Sequence, residues 1–87
     1  MGDLAALPNV GTVLERNLLA VGVESPDELR SIGSREAFTR IRETVDPGAC
    51  LHMLYGLEGA VRGIEDSRLP QEERDSLKAF ARNLDAG

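Results

Sequence analysis

Apolar residues recur at three- and four-residue spacing through most of this chain, and no stretch alternates apolar with polar long enough to suggest a strand. Val10, Val13, Leu14, Leu18 and Val21 mark one helical face. They predict a helix over about 11–20, with Gly22 as its left-handed stop and Val23 packing back onto it. Ahead of it, Asp3 to Leu7 has room for one short helical turn, ended by the restriction that Pro8 places on the residue before it. Ser25-Pro26-Asp27-Glu28 combines a serine N-cap, a proline at the first helical position and a glutamate three residues after the cap. This opens a short helix with Leu29 and Ile32 inward, and Gly33 ends it. Ser34 is then placed to cap a further helix whose buried stripe is Ala37, Phe38, Ile41 and Val45.

Asp46-Pro47 repeats the cap-plus-proline device and predicts the longest and least polar helix, over about 47–64. Its inner stripe is Cys50, Leu54, Leu57, Val61 and Ile64. Beside it runs a stripe of small residues, Gly56, Ala60 and Gly63. A glycine in a helix interior costs about 1 kcal/mol relative to alanine, so the stripe implies close approach of another helix, either within the domain or across an interface between copies. Leu69-Pro70 opens a last amphipathic helix with Leu77, Phe80, Ala81 and Leu84 inward, and with Glu72 and Glu73 in the first turn where the helix dipole favours them. The expectation is an all-α domain over 3–84, of about five helices in a helix-hairpin-helix or SAM-like arrangement. Residues 85–87 are expected to form a frayed tail.

Composition narrows the functional classes. A chain of 87 residues supports one domain, which buries roughly 60–65% of the surface its unfolded form exposes. Only Phe38, Tyr55 and Phe80 are aromatic, so the core must be built from Leu, Val, Ile and Ala. Such a core packs closely and leaves no room for a buried cofactor. The lone Cys50 excludes an intrachain disulfide and any cysteine cluster for zinc or iron–sulfur, and it fits a reducing compartment. No apolar run approaches the roughly 20 residues that cross a bilayer. No secretory pattern opens the chain, and Ala6 stands where a myristoylation signal wants Ser or Thr. A soluble cytoplasmic protein is expected, without membrane association.

Net charge is −5, from ten basic and fifteen acidic residues. Duplex-binding domains usually present a broad positive face, because neutralised phosphates supply most of their non-specific affinity. Here nucleic-acid contact would have to be local. Two sites could support it. The first is the turn Leu7-Pro8-Asn9-Val10-Gly11, echoed 22 residues later by Leu29-Arg30-Ser31-Ile32-Gly33. Each reads as a helix-hairpin-helix turn, whose backbone N–H groups at a helix start suit a phosphate. The candidate contacts are Pro8, Asn9, Val10 and Gly11. Asn9 occupies a position where DNA-binding turns of this kind commonly carry glycine; it tolerates a left-handed backbone but crowds the phosphate. The turn reads first as a corner between packed helices and second as a phosphate contact. The second site is the basic patch Arg35, Arg40 and Arg42, tempered by Glu36 and Glu43, which reads first as a solvated face. No aromatic residue interleaves with it for base stacking.

The residues offer little to catalysis. Cys50 and His52 lie two apart on one predicted helix and so point in different directions, with Cys50 on the apolar stripe and read as a core residue. Nothing matches an acid/base pair, a nucleophile triad, a phosphate loop or a metal spacing. The expectation is a non-enzymatic protein with no cofactor and no metal.

The run Leu7-Pro8-Asn9-Val10-Gly11, then Leu14, Leu18, Gly22-Val23, Asp27-Glu28-Leu29, Ile32-Gly33 and Glu36-Ala37-Phe38, resembles the C-terminal domain of the TfoX/Sxy competence-regulator family. The resemblance continues through Leu54-Tyr55-Gly56-Leu57-Glu58-Gly59-Ala60-Val61-Arg62-Gly63, its most specific stretch, to Leu69-Pro70, and so spans about 3–84. It implies a compact helical domain related to helix-hairpin-helix modules and associated with regulating genes for natural DNA uptake. In full regulators such a domain follows an N-terminal one, nothing of which is found in these residues, and similar domains also occur alone; a stand-alone domain is expected here. The resemblance supplies no catalytic residues. The functional expectation is a regulatory module that binds a protein partner through its helical surface, or self-associates along Gly56, Ala60 and Gly63. The alternative is weak, sequence-independent DNA binding through Pro8 to Gly11 and Arg35, Arg40 and Arg42.

Overall fold

The computed structural model describes residues 3–86. They form four α-helices, α1 (Thr12–Ala20), α2 (Pro26–Thr44), α3 (Leu51–Arg62) and α4 (Gln71–Ala86), with short 3-10 turns at Leu4–Ala6 and Asp66–Arg68. No strand occurs among the described residues. The all-α expectation holds, and the count of five helices reflects a real break: at Gly33 the backbone turns to φ 85° and ψ 166°, which divides α2 into two helical runs.

Several predicted boundaries follow their chemistry closely. The Ser25 hydroxyl accepts the Glu28 N–H at 3.1 Å, while the Glu28 carboxylate accepts the Glu24 N–H at 2.6 Å. One orphan donor of α2 and the N–H of the residue ahead of its cap are thereby satisfied. At the other end of α1, Gly22 (φ 85°) permits paired reverse bonds, Val23 N–H to the Leu18 carbonyl and Gly22 N–H to that of Leu19. Val23 is buried as a result.

Other boundaries differ for local reasons. The predicted long helix begins at Leu51, not near Pro47, because Asp46 closes a turn of its own. Its carboxylate accepts the Gly48 N–H at 3.0 Å and its carbonyl accepts the Ala49 N–H at 3.0 Å. Cys50 therefore becomes the exposed N-cap of α3, not a core residue. Gly63 (φ 76°) lies past the end of α3, where Ile64 N–H bonds the Gly59 carbonyl and Gly63 N–H that of Ala60. Val45 lies beyond the last turn of α2 and is 39% exposed, outside the stripe assigned to it. Ser34 caps nothing: it is buried, and its hydroxyl donates to Glu58 across the helix interface. The last helix continues through Ala86, so Asp85 and Ala86 are helical where a frayed tail is expected, and Gly87 lies outside the described residues.

Helix α3 packs against both α2 and α4, and the core forms where these meet. Leu29, Phe38 and Ile41 of α2, Leu54 and Leu57 of α3, Leu77 of α4 and Leu18 of α1 are fully buried. Each such side chain is worth about 1.5–3 kcal/mol relative to exposure.

Candidate interaction surfaces

The turn before α1 is fastened to the far end of α3. Asn9 adopts the left-handed backbone (φ 70°), and its side chain reaches across the domain. Its amide nitrogen donates to the carbonyls of Gly56 (3.3 Å) and Ile64 (3.0 Å), and its amide oxygen accepts the Asp66 N–H (3.1 Å). One side chain thus joins three backbone groups, two of which lie beyond the end of α3. Val10 beside it is buried against the core, and Pro8 is half-buried. The cleft between turn and helix is narrow because α3 presents glycines there. A Cβ on Gly56 would meet the Asn9 Cβ at 3.5 Å, an ordinary contact, whereas one on Gly59 would collide with the Asn9 amide and stand 2.7 Å from the Ile64 carbonyl oxygen. Gly11, the N-cap of α1, has open space around it and no side-chain cap.

Of the predicted small-residue stripe, Gly56 and Ala60 are buried within the domain, and Gly63 is exposed in the turn that ends α3. The close approach implied by the stripe is made inside the domain, by the Asn9 turn on Gly56 and Gly59. Sequence reasoning overlooks Gly59, which lies one position off the stripe. Its signal is the spacing Gly56-x-x-Gly59, three apart on one helical face.

The three arginines of the predicted basic patch do not share a surface function. Arg35 donates to Ser76 Oγ at 2.9 Å, lies 3.6 Å from Glu73 and rests over the Phe80 ring. Arg40 pairs with Glu36 one turn away at 2.9 Å. Arg42 pairs with Asp85 of α4. Arg35 belongs to a polar chain across three helices: the buried Ser34 hydroxyl donates to Glu58 Oε1 at 2.5 Å, Arg62 donates to Glu58 Oε2 at 2.7 Å, and Arg62 reaches Glu73 at 2.9 Å. The hydrogen bond to Glu58, with the Glu58 and Glu73 charges behind it, raises the Arg62 guanidinium above its already high ordinary value despite some opposing desolvation. This chain of polar groups sets α2, α3 and α4 against one another.

Separately exposed apolar side chains and a cleft complete the surface. Val13, Leu19 and Val45 are exposed large apolar residues, at 63%, 46% and 39%. Between the start of α3 and α4 lies a cleft of about 410 Å³, lined by Arg42, Lys78, Arg82, Asp85 and the exposed Cys50. Cys50 and His52 do not converge with other potential ligands: among the described residues no group of three His, Cys, Asp or Glu side chains could hold a metal ion. Also among them, no helix is long and apolar enough to cross a membrane.

The model of the TfoX C-terminal domain matches residues 1–81. The chain belongs to that family. Protein Sxy of Escherichia coli K12 is a relative of this TfoX C-terminal domain, 33% identical over 81 residues, which are 93% of this chain and 38% of Sxy. The chain thus spans well under half the length of that curated relative. A crystal structure of an uncharacterized protein from Listeria monocytogenes has the same fold, with a TM-score of 0.92 and 45% identity over 94% of this chain and 92% of that one. A second Listeria monocytogenes structure, of a protein of unknown function, matches with a TM-score of 0.89 and 45% identity, over 92% of this chain and 98% of that one. The residues that fasten the turn to α3, Asn9, Gly56 and Gly59, all lie inside the matched TfoX C-terminal span.

Proposed function

We propose that this TfoX C-terminal domain is a non-enzymatic regulatory module that works in the cytoplasm by holding a protein partner, in the manner of a competence regulator's C-terminal part. The observation that carries the reading is how the surface groups are committed. Arg35, Arg40 and Arg42 are each held by the domain's own carboxylates, while Val13, Leu19 and Val45 stand exposed. Each of these side chains gains individually from being covered. The net charge of −5 also favours a protein partner over a polyanion. The test is capture of proteins from the source cell on the immobilised chain, followed by calorimetric titration of the purified captured protein into the free chain. A saturable one-to-one complex, weakened by Val13→Ser with Leu19→Ser, supports the reading. Absence of any protein that rebinds in the titration sinks it.

Weak DNA contact through the turn is the second reading. It is favoured by the open space at Gly11 and the uncapped start of α1. A titration with duplex and single-stranded oligonucleotides at low salt decides it, since phosphate-mediated affinity must rise as salt falls.

A further inference from the structure

We propose that the cleft between the start of α3 and α4 is the seat of an acidic, partly apolar peptide segment of the partner protein. The inference deepens the protein-partner reading and rests on it. The cleft, about 410 Å³, gathers Arg42, Lys78 and Arg82 against a single carboxylate, Asp85, in a chain whose net charge is −5. Arg42 is fixed by pairing with Asp85. Lys78 and Arg82 make no ion pair among the described residues. They lie four apart on α4, so their side chains are neighbours and repel one another. Asp75, the other carboxylate near them, lines an adjoining hollow that shares Lys78 and Arg82, and it is bound by the Gln71 side chain.

Two uncompensated cations beside a third make a place where an anion lowers the energy of the free surface. The uncharged part of the lining decides which anion. Ala81 and Leu51 line the cleft, and it offers no aromatic ring for a nucleobase. Three cations in one cleft fall short of the broad positive face a duplex needs. Carboxylate side chains flanking one aliphatic side chain match both the cationic and the apolar lining. Of the three α2 arginines that make up the predicted basic patch, only Arg42 contributes here. The other two cations come from α4, which approaches Arg42 only in the folded chain.

The test is fluorescence anisotropy of the full chain with a short labelled peptide rich in glutamate and leucine, its lysine-for-glutamate counterpart, and labelled oligonucleotides. The acidic peptide binds, more tightly as salt is lowered, and its counterpart does not. Lys78→Glu with Arg82→Glu weakens binding about tenfold or more, with the helical circular dichroism retained because both side chains are exposed. Arg16→Glu with Arg68→Glu changes the net charge equally away from the cleft and leaves affinity within about twofold. Lack of acidic-peptide binding at low salt, equal loss in the two double variants, or preferential binding of the oligonucleotide overturns the assignment. If the captured partner binds Lys78→Glu/Arg82→Glu as it binds the wild-type chain, the cleft is wrong and the protein-partner reading stands. If no partner rebinds, that reading fails on its own test.

Discussion

Replacing Asn9 isolates what the turn before α1 does for the fold. Asn9→Ala removes two donated bonds and one accepted bond, to Gly56, Ile64 and Asp66. A protein hydrogen bond contributes about 0.5–1.5 kcal/mol net. Two of these three are solvent-exposed, so the lower half of that range applies and the three together give about 1.5–3 kcal/mol. The backbone at φ 70° adds about 1 kcal/mol for alanine, which asparagine tolerates better. Asn9→Ala is therefore expected to cost about 2.5–4 kcal/mol. Asn9→Gly, free of the conformational term, costs about 1 kcal/mol less. Asn9→Asp keeps the Asp66 N–H bond but turns a carboxylate oxygen toward the Gly56 and Ile64 carbonyls, so it should be no more stable than the glycine variant. Urea unfolding followed by circular dichroism measures all three. For a domain of this size 1 kcal/mol shifts Tm by about 4–8 °C, which puts the Asn9→Ala thermal midpoint roughly 10–30 °C below wild type. If Asn9→Ala stays within about 0.5 kcal/mol of wild type, the size of an ordinary surface substitution, the turn is not fastened as described.

Gly59→Ala must displace both the Asn9 amide and the Ile64 carbonyl, and should cost about 3 kcal/mol; Gly56→Ala meets only an ordinary contact and should be neutral or up to about 1 kcal/mol stabilising through helix propensity. Both are read by the same urea titration. Glu58→Ala leaves the buried Ser34 hydroxyl without its acceptor and Arg62 with Glu73 alone, an expected loss of about 1–3 kcal/mol in unfolding free energy. Cys50 is exposed at the start of α3, so iodoacetamide should alkylate the native protein about as fast as the urea-unfolded one, and a strongly protected thiol would contradict that placement.

Much of the fold is written in short local signals. Ser25-Pro26 with Glu28, and the glycines at positions 22 and 33, act on neighbours within a turn or two of themselves, so their consequences can be derived without tertiary contacts. Asp46-Pro47 shows how such a signal can mislead. The same aspartate that caps a helix can close an Asx turn on Gly48, and the choice between them shifts Cys50 from a helix interior to an exposed cap.

The surfaces are less legible because their parts are distant in sequence. Taken with its neighbours alone, Asn9 is a blemish in a phosphate-binding turn; its role depends on Gly56, Ile64 and Asp66, more than forty residues away. Arg35 and Arg42 both lie on α2, but each is claimed by α4, through Glu73 and Ser76 in one case and Asp85 in the other. Ser34 has the composition of a cap and the burial of a core residue because Glu58 lies opposite. Long-range pairing of polar groups has no periodic signature.

Amide hydrogen exchange at Asp66 tests the central claim most directly, because the Asp66 N–H is held by the Asn9 side chain. In the wild-type chain it should exchange well below the rate of an unstructured amide. In Asn9→Gly it should approach that rate under conditions where the α3 amides stay protected. Equal protection of Asp66 in the two proteins would contradict the fastening of the turn to α3, and would leave the Leu7–Gly11 turn open to a ligand.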